Sequence, residues 1–389
     1  MKLNKLAKLL AVSLMASTSV AAAGVDTLNL PAIDNPAVQP AAKIVAEDLE
    51  LTSDWDKTFP QDEAVEARKV VFVNRYGITL AADLYKPKNA EGKLPAIAIS
   101  GPYGAVKEQV SGRYAQELAK RGYLTVAFDP SFYGESGGSA RYMSSPDIFT
   151  EDFSAAVDYL ATSDEVDADK IGLVGICGFG GFGINAVAMD DRIKAGVIVT
   201  MYDMSQVTAN GYFDADDNKT ARAALKHALN EQRTADYKNK VRAASGGVPA
   251  VIDENTPQFV IDYHNYYKTE IGYHPRSMGS NNGFNTVAAL SFLNMPLLAY
   301  AGEIDTPLLL VHGEKAHSRY FSEEAFSKLQ GENKELLIIP NANHTDLYYK
   351  YEYIPFDYIE NFFDVNLQGE SKITQPGVVK RTDWSKVEK

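Results

Sequence analysis

The chain has only one cysteine among its 389 residues, Cys177. A single cysteine excludes any disulfide within the chain, so the fold must be stabilised by its core alone. A free thiol is a liability in an oxidising compartment unless it is buried or used in chemistry. Cys177 therefore has to be explained either as a small buried core residue or as a reactive group.

Beyond its N-terminus the sequence also lacks any apolar run of about 18 residues, the length needed for a membrane-spanning helix. The N-terminus itself has three lysines in its first eight residues, then an apolar run, then three alanines ending at Ala23. This order is typical of a Sec-type signal peptide. We predict that residues 1–23 are removed, that the protein is periplasmic or secreted, and that it has no membrane anchor after cleavage.

Basic residues are outnumbered, with 38 Lys and Arg against 51 Asp and Glu and a formal net charge of −13. Without a basic block, neither nucleic acid nor an anionic membrane is expected as a partner. Metal-ligand spacing is missing as well, since none of His227, His264 and His274 has a suitably spaced partner. We therefore predict no metal, no cofactor and a small-molecule substrate, and leave the oligomeric state open.

The remaining sequence predicts one α/β domain over residues 61–389. Residues 24–60 are rich in Ala, Pro and Asp without periodicity, which indicates a linker or a strap. Two β-rich runs at residues 70–73 and 78–85 predict an antiparallel hairpin. The continuous apolar strands that alternate with helices after it predict a mostly parallel sheet flanked by helices. This alternation stops over residues 205–303, which predicts a helical cap inserted between the sixth and seventh strands.

A strand at residues 171–176 runs directly into Cys177 and a helical stretch. Such a turn is typical of a nucleophile elbow, which presents a side chain at a helix N-terminus, where amides are expected to lower a thiol pKa. The tight turn requires small residues two positions to either side, and Gly175 fits while Phe179 does not. In a register shifted by two residues Phe179 would occupy the nucleophile position and the site would be inert.

A histidine and two carboxylates follow the strands where partners of a nucleophile are expected. His344 comes four residues after Pro340, beyond the last strand, where the base of a hydrolase triad lies. Asp203, past the sixth strand, and Glu314, after the seventh, are the candidate acids. Asp203 is preferred because Glu314 has a neighbouring lysine to pair with at the surface. The structural alternative is that Asp203 caps the helical segment that begins at Ser205.

An oxyanion hole requires two backbone N–H groups directed at one point. One is expected from Gly178, the residue after the nucleophile. The other is expected from the Gly/Pro-rich loop after the third strand, as the amide of either Tyr103 or Gly104.

Seven segments of the chain resemble an α/β-hydrolase family related to the dienelactone hydrolases, which includes polyketide-transferase-like and fermentation-switch-like hydrolases. The resemblance extends over nearly the whole chain from about Phe59, and it implies an α/β-hydrolase fold and hydrolysis or transfer of an acyl group. The segments are NRYGITLAADLY, GAVKEQ, FYGESGG, VGICGFGG, DRIKAGVIVTMYDM, GEKAHSRYFSEEAF and PNANHTDLYY.

Three functions are compatible with these residues. The first is an acyl hydrolase that acts on an ester, lactone or thioester through Cys177, His344 and an acid. The second is an acyltransferase that passes the same acyl-enzyme to an alcohol or amine. The third is a non-catalytic binding protein on a degenerate hydrolase scaffold, which the unusual Phe179 favours.

Overall fold

The structure is a computed structural model that describes residues 43–369. The predicted signal peptide and residues 24–42 of the predicted strap lie outside the described residues. The chain divides into a short N-terminal unit, residues 1–44, and a large unit, Val45–Lys389, which contains every helix and strand of the described structure.

Eight strands form the central sheet, and two short strands pair separately. In chain order the strands are β1 (Val65–Val73), β2 (Thr79–Pro87), β3 (Leu94–Ser100), β4 (Leu124–Phe128), β5 (Val166–Ile176), β6 (Ile193–Val199), β7 (Ala244–Ser245), β8 (Phe284–Asn285), β9 (Leu308–Gly313) and β10 (Lys334–Ile339). The sheet order is β1-β2-β4-β3-β5-β6-β9-β10. β1 and β2 form the predicted antiparallel hairpin, β2 is antiparallel to β4, and the other neighbours are parallel.

Helices cover both faces of this sheet. In chain order they are α1 (Val110–Lys120), α2 (Pro146–Ala161), α3 (Gly178–Met189), α4 (Met204–Asn210), α5 (Lys219–Asn239), α6 (Gln258–Tyr267), α7 (Ala289–Asn294), α8 (Arg319–Lys328), α9 (Asp346–Tyr349) and α10 (Phe356–Phe363), which continues as a π-helix, Asp364–Gln368. Every residue of β4 and β9 is buried. Their continuous apolar sequences are therefore explained by a sheet that is covered on both sides. No helix in the described part of the chain is long and apolar enough to cross a bilayer.

The segment between β6 and β9 is mainly helical and adds no strand to the central sheet. It contains α4 to α7, three short 3-10 turns and the isolated β7–β8 pair. The prediction of a helical cap between the sixth and seventh strands of the sheet is thereby confirmed.

The described part of the predicted strap lies along the domain and is hydrogen-bonded to it. The Thr52 N–H donates to Glu135 Oε1 over 2.8 Å, and the Lys57 amine lies 2.8 Å from Asp83 Oδ2 with both side chains buried. Phe59, near the end of the segment, is part of the core. These contacts place the strap beside a buried group of charged residues around Glu135.

Candidate active site

Cys177 occupies the turn between β5 and α3 in a backbone conformation that residues other than glycine rarely adopt. Its φ is 56° and its ψ is −125°. Positive φ is costly for any residue that carries a Cβ. The turn is tight enough that a Cβ added to Gly175 would lie 2.4 Å from the carbonyl oxygen of Phe179. The geometry is therefore that of a sharp strand-to-helix elbow with Cys177 at its apex.

Phe179 does not stand at this apex, so the shifted register is wrong. Its side chain is fully buried, with its ring centroid 5.2 Å from those of Phe149 and Phe182. A glycine usually stands at position 179 of such a turn and leaves room for the neighbouring loop. Here the room comes from Gly101 of that loop, since a Cβ on Gly101 would lie only 2.8 Å from the Phe179 Cβ. A glycine with φ of +102° at position 101 therefore compensates for the phenylalanine, which is a core residue.

Three polar groups are directed at the Cys177 thiol, which is only 7% exposed. Burial has the largest effect on this group and raises its pKa to about 11. The Tyr348 hydroxyl and the backbone N–H groups of Gly178 and Tyr103 each act in the opposite direction. The expectation that the helix amides lower the thiol pKa is therefore wrong in net direction, because desolvation outweighs them.

The loop after β3 directs its Tyr103 amide at the thiol, while the next residue faces the cap. The carbonyl oxygen of Gly104 accepts hydrogen bonds from the Gly279 N–H over 2.9 Å and from Ser277 Oγ over 3.0 Å. Of the two alternatives for the second oxyanion donor, Tyr103 is thus the one whose amide lies beside the sulfur.

His344 is buried and lies within hydrogen-bonding distance of three hydroxyl groups. Its Nε2 is 2.9 Å from the Tyr348 hydroxyl, and its Nδ1 is 2.6 Å from Ser318 Oγ and 2.9 Å from Thr200 Oγ1. Burial, and then the neighbouring histidines, hold the pKa of His344 well below its ordinary value. Within residues 43–369 no hydrogen bond joins His344 directly to Cys177, because Tyr348 lies between them.

Neither predicted acid is hydrogen-bonded to His344, which corrects that part of the prediction. Asp203 Oδ1 accepts the backbone N–H groups of Ser205 over 3.0 Å and Gln206 over 2.9 Å, so this carboxylate is the N-cap of α4. Glu314 is exposed, and its Oε2 accepts the backbone N–H of Asn341 over 2.8 Å. A carboxylate already used by helix amides, or held at the surface, is not available to orient a buried imidazole.

Ser318, Thr200 and Tyr348 were not predicted as site residues. Ser318 lies five residues after β9, in the stretch where the acid of a triad is expected, but it carries a hydroxyl where a carboxylate is usual. Tyr348 is four residues after His344, in the short helix α9. Thr200 carries no such signal, because its approach to His344 joins segments 144 residues apart.

Tyrosines and a cap helix enclose the space around the thiol. Tyrosines whose ionisation would be opposed by a Cys177 thiolate are Tyr202, Tyr212, Tyr263, Tyr267 and Tyr348. Phe259 of α6 stacks on His317, with ring centroids 4.2 Å apart. A cavity of about 170 Å³ beside His317 and His344 has Asp262 and Lys315 at its lining. The inner wall is thus aromatic, whereas the lining of this cavity also carries charged residues.

Among the described residues, one group of three carboxylates has side chains close enough together to be considered as metal ligands. Glu108, Asp129 and Glu135 can bring one oxygen each within 4.8 Å of one another. The Lys107 amine already lies 2.7, 2.8 and 2.6 Å from them, respectively. This chain therefore supplies its own cation to the three carboxylates.

We predict that iodoacetamide labels folded Cys177 slowly at neutral pH, since the thiolate is the reactive form. The labelling rate should rise about tenfold per pH unit towards a midpoint near 11, where burial places the pKa of this thiol. Because the folded-state pKa is raised, the thiol favours folding below pH 9, and this contribution is lost as the pH rises towards 11.

Mass spectrometry of labelling between about pH 7 and 10 checks this prediction. The chain unfolded in urea is the control, because its rate should level off near the ordinary thiol pKa of 9.0. A folded-state midpoint below about pH 8 would contradict the prediction.

The sheet order, the elbow after β5 and the histidine after β10 define the class of protein as an α/β-hydrolase. Residues 76–346 match the family model of the X-Pro dipeptidyl-peptidases, the S15 family. This match covers more than half of the chain, and the chain belongs to this family. Peptidases of the family use a serine nucleophile, whereas the elbow residue here is Cys177. The expected relation to dienelactone hydrolases is thus met only at the level of the α/β-hydrolase class.

Two relatives share most of the fold. The uncharacterized protein PA2218 of Pseudomonas aeruginosa is 54% identical over 327 residues, which are 82% of this chain and 86% of that protein. Its crystal structure has a TM-score of 0.80 and covers 82% of this chain and 100% of its own. The α/β-hydrolase GrgF from a Penicillium species, at 19% identity, has a TM-score of 0.64 over 78% of this chain and 99% of its own, which shows the shared fold alone.

Two more distant fungal relatives carry names that describe activities. Thiohydrolase aneE of Aspergillus aculeatus is 31% identical over 140 residues, which are 36% of this chain and 42% of that protein. Acyltransferase drtE of Aspergillus calidoustus is 26% identical over 258 residues, which are 64% of this chain and 77% of that protein. The chain is therefore similar in sequence both to a thiohydrolase and to an acyltransferase.

Proposed function

We propose that the protein hydrolyses an uncharged ester, lactone or thioester, with Cys177 as nucleophile and His344 as base. The observation that carries the proposal is the set of groups directed at the Cys177 thiol: two backbone N–H groups, from Gly178 and Tyr103, and the Tyr348 hydroxyl. Two N–H groups next to the nucleophile are the arrangement that stabilises a developing oxyanion.

In the resting site both reacting groups are neutral, because burial raises the pKa of Cys177 and lowers that of His344. The thiol proton passes to the Tyr348 oxygen as the Tyr348 hydroxyl proton passes to His344 Nε2. The sulfur then forms a bond to the substrate carbonyl carbon, and the carbonyl oxygen becomes an oxyanion held by the two amides. When the oxyanion collapses, the bond from the carbonyl carbon to the leaving oxygen or sulfur breaks, and that atom takes the proton back from His344 through Tyr348. Water then attacks the acyl-enzyme carbonyl, the bond to sulfur breaks, and the products are the carboxylic acid and the Cys177 thiol.

Hydroxyl groups replace the acid in this mechanism. With its Nδ1–H donating to Ser318 Oγ or Thr200 Oγ1, His344 keeps Nε2 free to accept a proton, which is the orienting function of a triad acid. A hydroxyl does not neutralise the imidazolium that forms, so less stabilisation is available than from a carboxylate. A cysteine nucleophile tolerates this loss because its thiol ionises more easily than a serine hydroxyl.

The residues around Cys177 favour a substrate whose acyl group, the part nearest the thiol, is uncharged. Within residues 43–369, five tyrosines have a pKa that Cys177 raises electrostatically, namely Tyr202, Tyr212, Tyr263, Tyr267 and Tyr348. The names of the thiohydrolase and acyltransferase relatives support an ester or thioester substrate rather than a peptide. Acyl transfer to an alcohol or amine is the second candidate, because Cys177 and His344 are only 7% and 2% exposed, and a dry site favours transfer over hydrolysis.

Trapping of the acyl-enzyme tests the proposal. Wild-type protein and Cys177→Ala are mixed with p-nitrophenyl butyrate or a butyryl thioester, quenched in acid and weighed by intact mass spectrometry. We expect the butyryl adduct on the wild type alone, with release of p-nitrophenol or thiol beyond one equivalent. A wild type that shows neither adduct nor turnover would contradict the proposal, while turnover only in the presence of an alcohol or amine would favour the transferase.

The same measurement addresses export, which we propose on the basis of residues 1–23. A protein recovered from the periplasm or medium of the expressing cells should have the mass of a chain that begins after Ala23. Recovery of the full-length chain from the cytoplasm alone would oppose this proposal.

A further inference from the structure

The largest group of buried charges in the described structure lies outside the proposed mechanism and is centred on Lys107. The Lys107 side chain is fully buried and contacts three carboxylates, one from the next residue and two from the loop that follows β4. Burial alone would lower the pKa of Lys107, but Asp129 and its neighbouring carboxylates hold that pKa well above its ordinary value. The lysine is therefore charged, and it joins its own loop to the loop that follows β4.

This group of charges is joined directly to the loop that carries the Tyr103 amide. Lys107 follows Tyr103 by four residues, and its backbone N–H donates to Asp129 Oδ1 over 2.8 Å. Asp129 thus holds both the main chain and the amine of Lys107. A displacement of Lys107 would be transmitted through four residues of main chain to the amide that faces Cys177.

The cap contacts the same loop at two points. Arg276 Nη2 lies 2.8 Å from Glu108 Oε1 and 2.6 Å from Asp56 Oδ2. The next residue, Ser277, donates its hydroxyl to the carbonyl of Gly104. One cap segment therefore binds the charged group and the residue next to Tyr103 at the same time.

We propose that Arg276 is a positioning residue that acts through Glu108 and the Gly104 carbonyl to hold the Tyr103 amide towards Cys177. The proposal rests on the proposed function for its effect on catalysis, and it makes docking of this cap segment a condition for a complete oxyanion site. Arg276 itself contacts neither the thiol nor the imidazole. Both contacts are made by the same nitrogen, Nη2, so a lysine keeps the charge, but its shorter side chain reaches Glu108 and Asp56 only in part.

The test compares Arg276→Gln and Arg276→Lys with the wild type. For Arg276→Gln we expect kcat on p-nitrophenyl butyrate to fall about tenfold to a hundredfold with KM changed less than about threefold, because a misplaced oxyanion donor weakens transition-state rather than substrate binding. Arg276→Lys should recover part of kcat, since its charge remains. Arg222→Gln is the matched control, because Arg222 is a cap arginine that pairs with Asp217 instead.

Amide hydrogen exchange supplies a readout that does not depend on activity. Arg276→Gln should increase exchange in peptides that cover residues 101–109 and 272–281 and leave those from α3 unchanged. If Arg276→Gln exchanges in the loop at the wild-type rate, the positioning role is overturned. The same holds if its exchange is faster but its kcat equals that of the wild type, or if only its melting temperature falls. Faster exchange together with a wild type that turns over no acyl substrate would instead contradict the proposed function and leave the structural coupling intact.

Discussion

Replacement of His344 by glutamine is expected to lower kcat for ester or thioester turnover by about three orders of magnitude, with KM nearly unchanged. His344 Nε2 is the imidazole nitrogen that reaches the Tyr348 hydroxyl, and through it the Cys177 thiol. Without this acceptor a thiol of pKa about 11 has to lose its proton to water, and almost none of it is ionised at neutral pH. Steady-state kinetics of the wild type and the variant at about pH 7 provide the measurement.

The rate of His344→Gln should recover partly at high pH, since hydroxide then ionises the thiol directly. Asp203→Ala is the matched control, because Asp203 caps α4 and has no hydrogen bond to His344. It should lose about 1 kcal/mol of unfolding free energy and keep kcat within about twofold. The assigned roles would be refuted if His344→Gln kept more than about a tenth of the wild-type kcat. They would also be refuted if Asp203→Ala were as inactive as His344→Gln.

Replacement of Lys107 by methionine is expected to lower the free energy of unfolding by about 3–5 kcal/mol. The substitution keeps most of the volume but leaves Glu108, Asp129 and Glu135 without the cation that contacts all three. Asp129 has no other ion-pair partner among the described residues, so this fully buried carboxylate then either remains charged at high cost or takes up a proton. Urea denaturation followed by circular dichroism measures the difference.

Two further variants keep this prediction falsifiable if Lys107→Met is poorly soluble. Adding Asp129→Asn should restore part of the lost stability, because Asp129 pairs only with Lys107 among the described residues, whereas Glu108 also contacts Arg276. Lys120→Met is the surface control, since the Lys120 pairs with Asp62 and Glu117 are partly exposed and should contribute less than about 1 kcal/mol. Equal losses in Lys107→Met and Lys120→Met would show that the buried lysine has no special role.

The fold could be predicted because its signals are local. The alternation of apolar strands with helices predicted the mostly parallel sheet and the cap, and the β1–β2 hairpin follows from two β-rich runs around a turn. The ends of elements were less accurate. β5 begins at Val166, five residues before the predicted strand, because its first half is polar and its pairing with β3 is irregular there.

The sequence by itself determined that a lone cysteine lies at a strand-to-helix turn and that a histidine follows the last strand, since chain order and small-residue spacing are enough for both. Only the tertiary structure decided which groups reach them. Asp203 binds a helix N-terminus two residues away, and the imidazole instead contacts Thr200, 144 residues away in sequence. The protonation of Cys177 is likewise decided by burial, which raises its pKa although the helix amides lower it. Desolvation depends on how completely distant segments cover a group, and no local pattern records that.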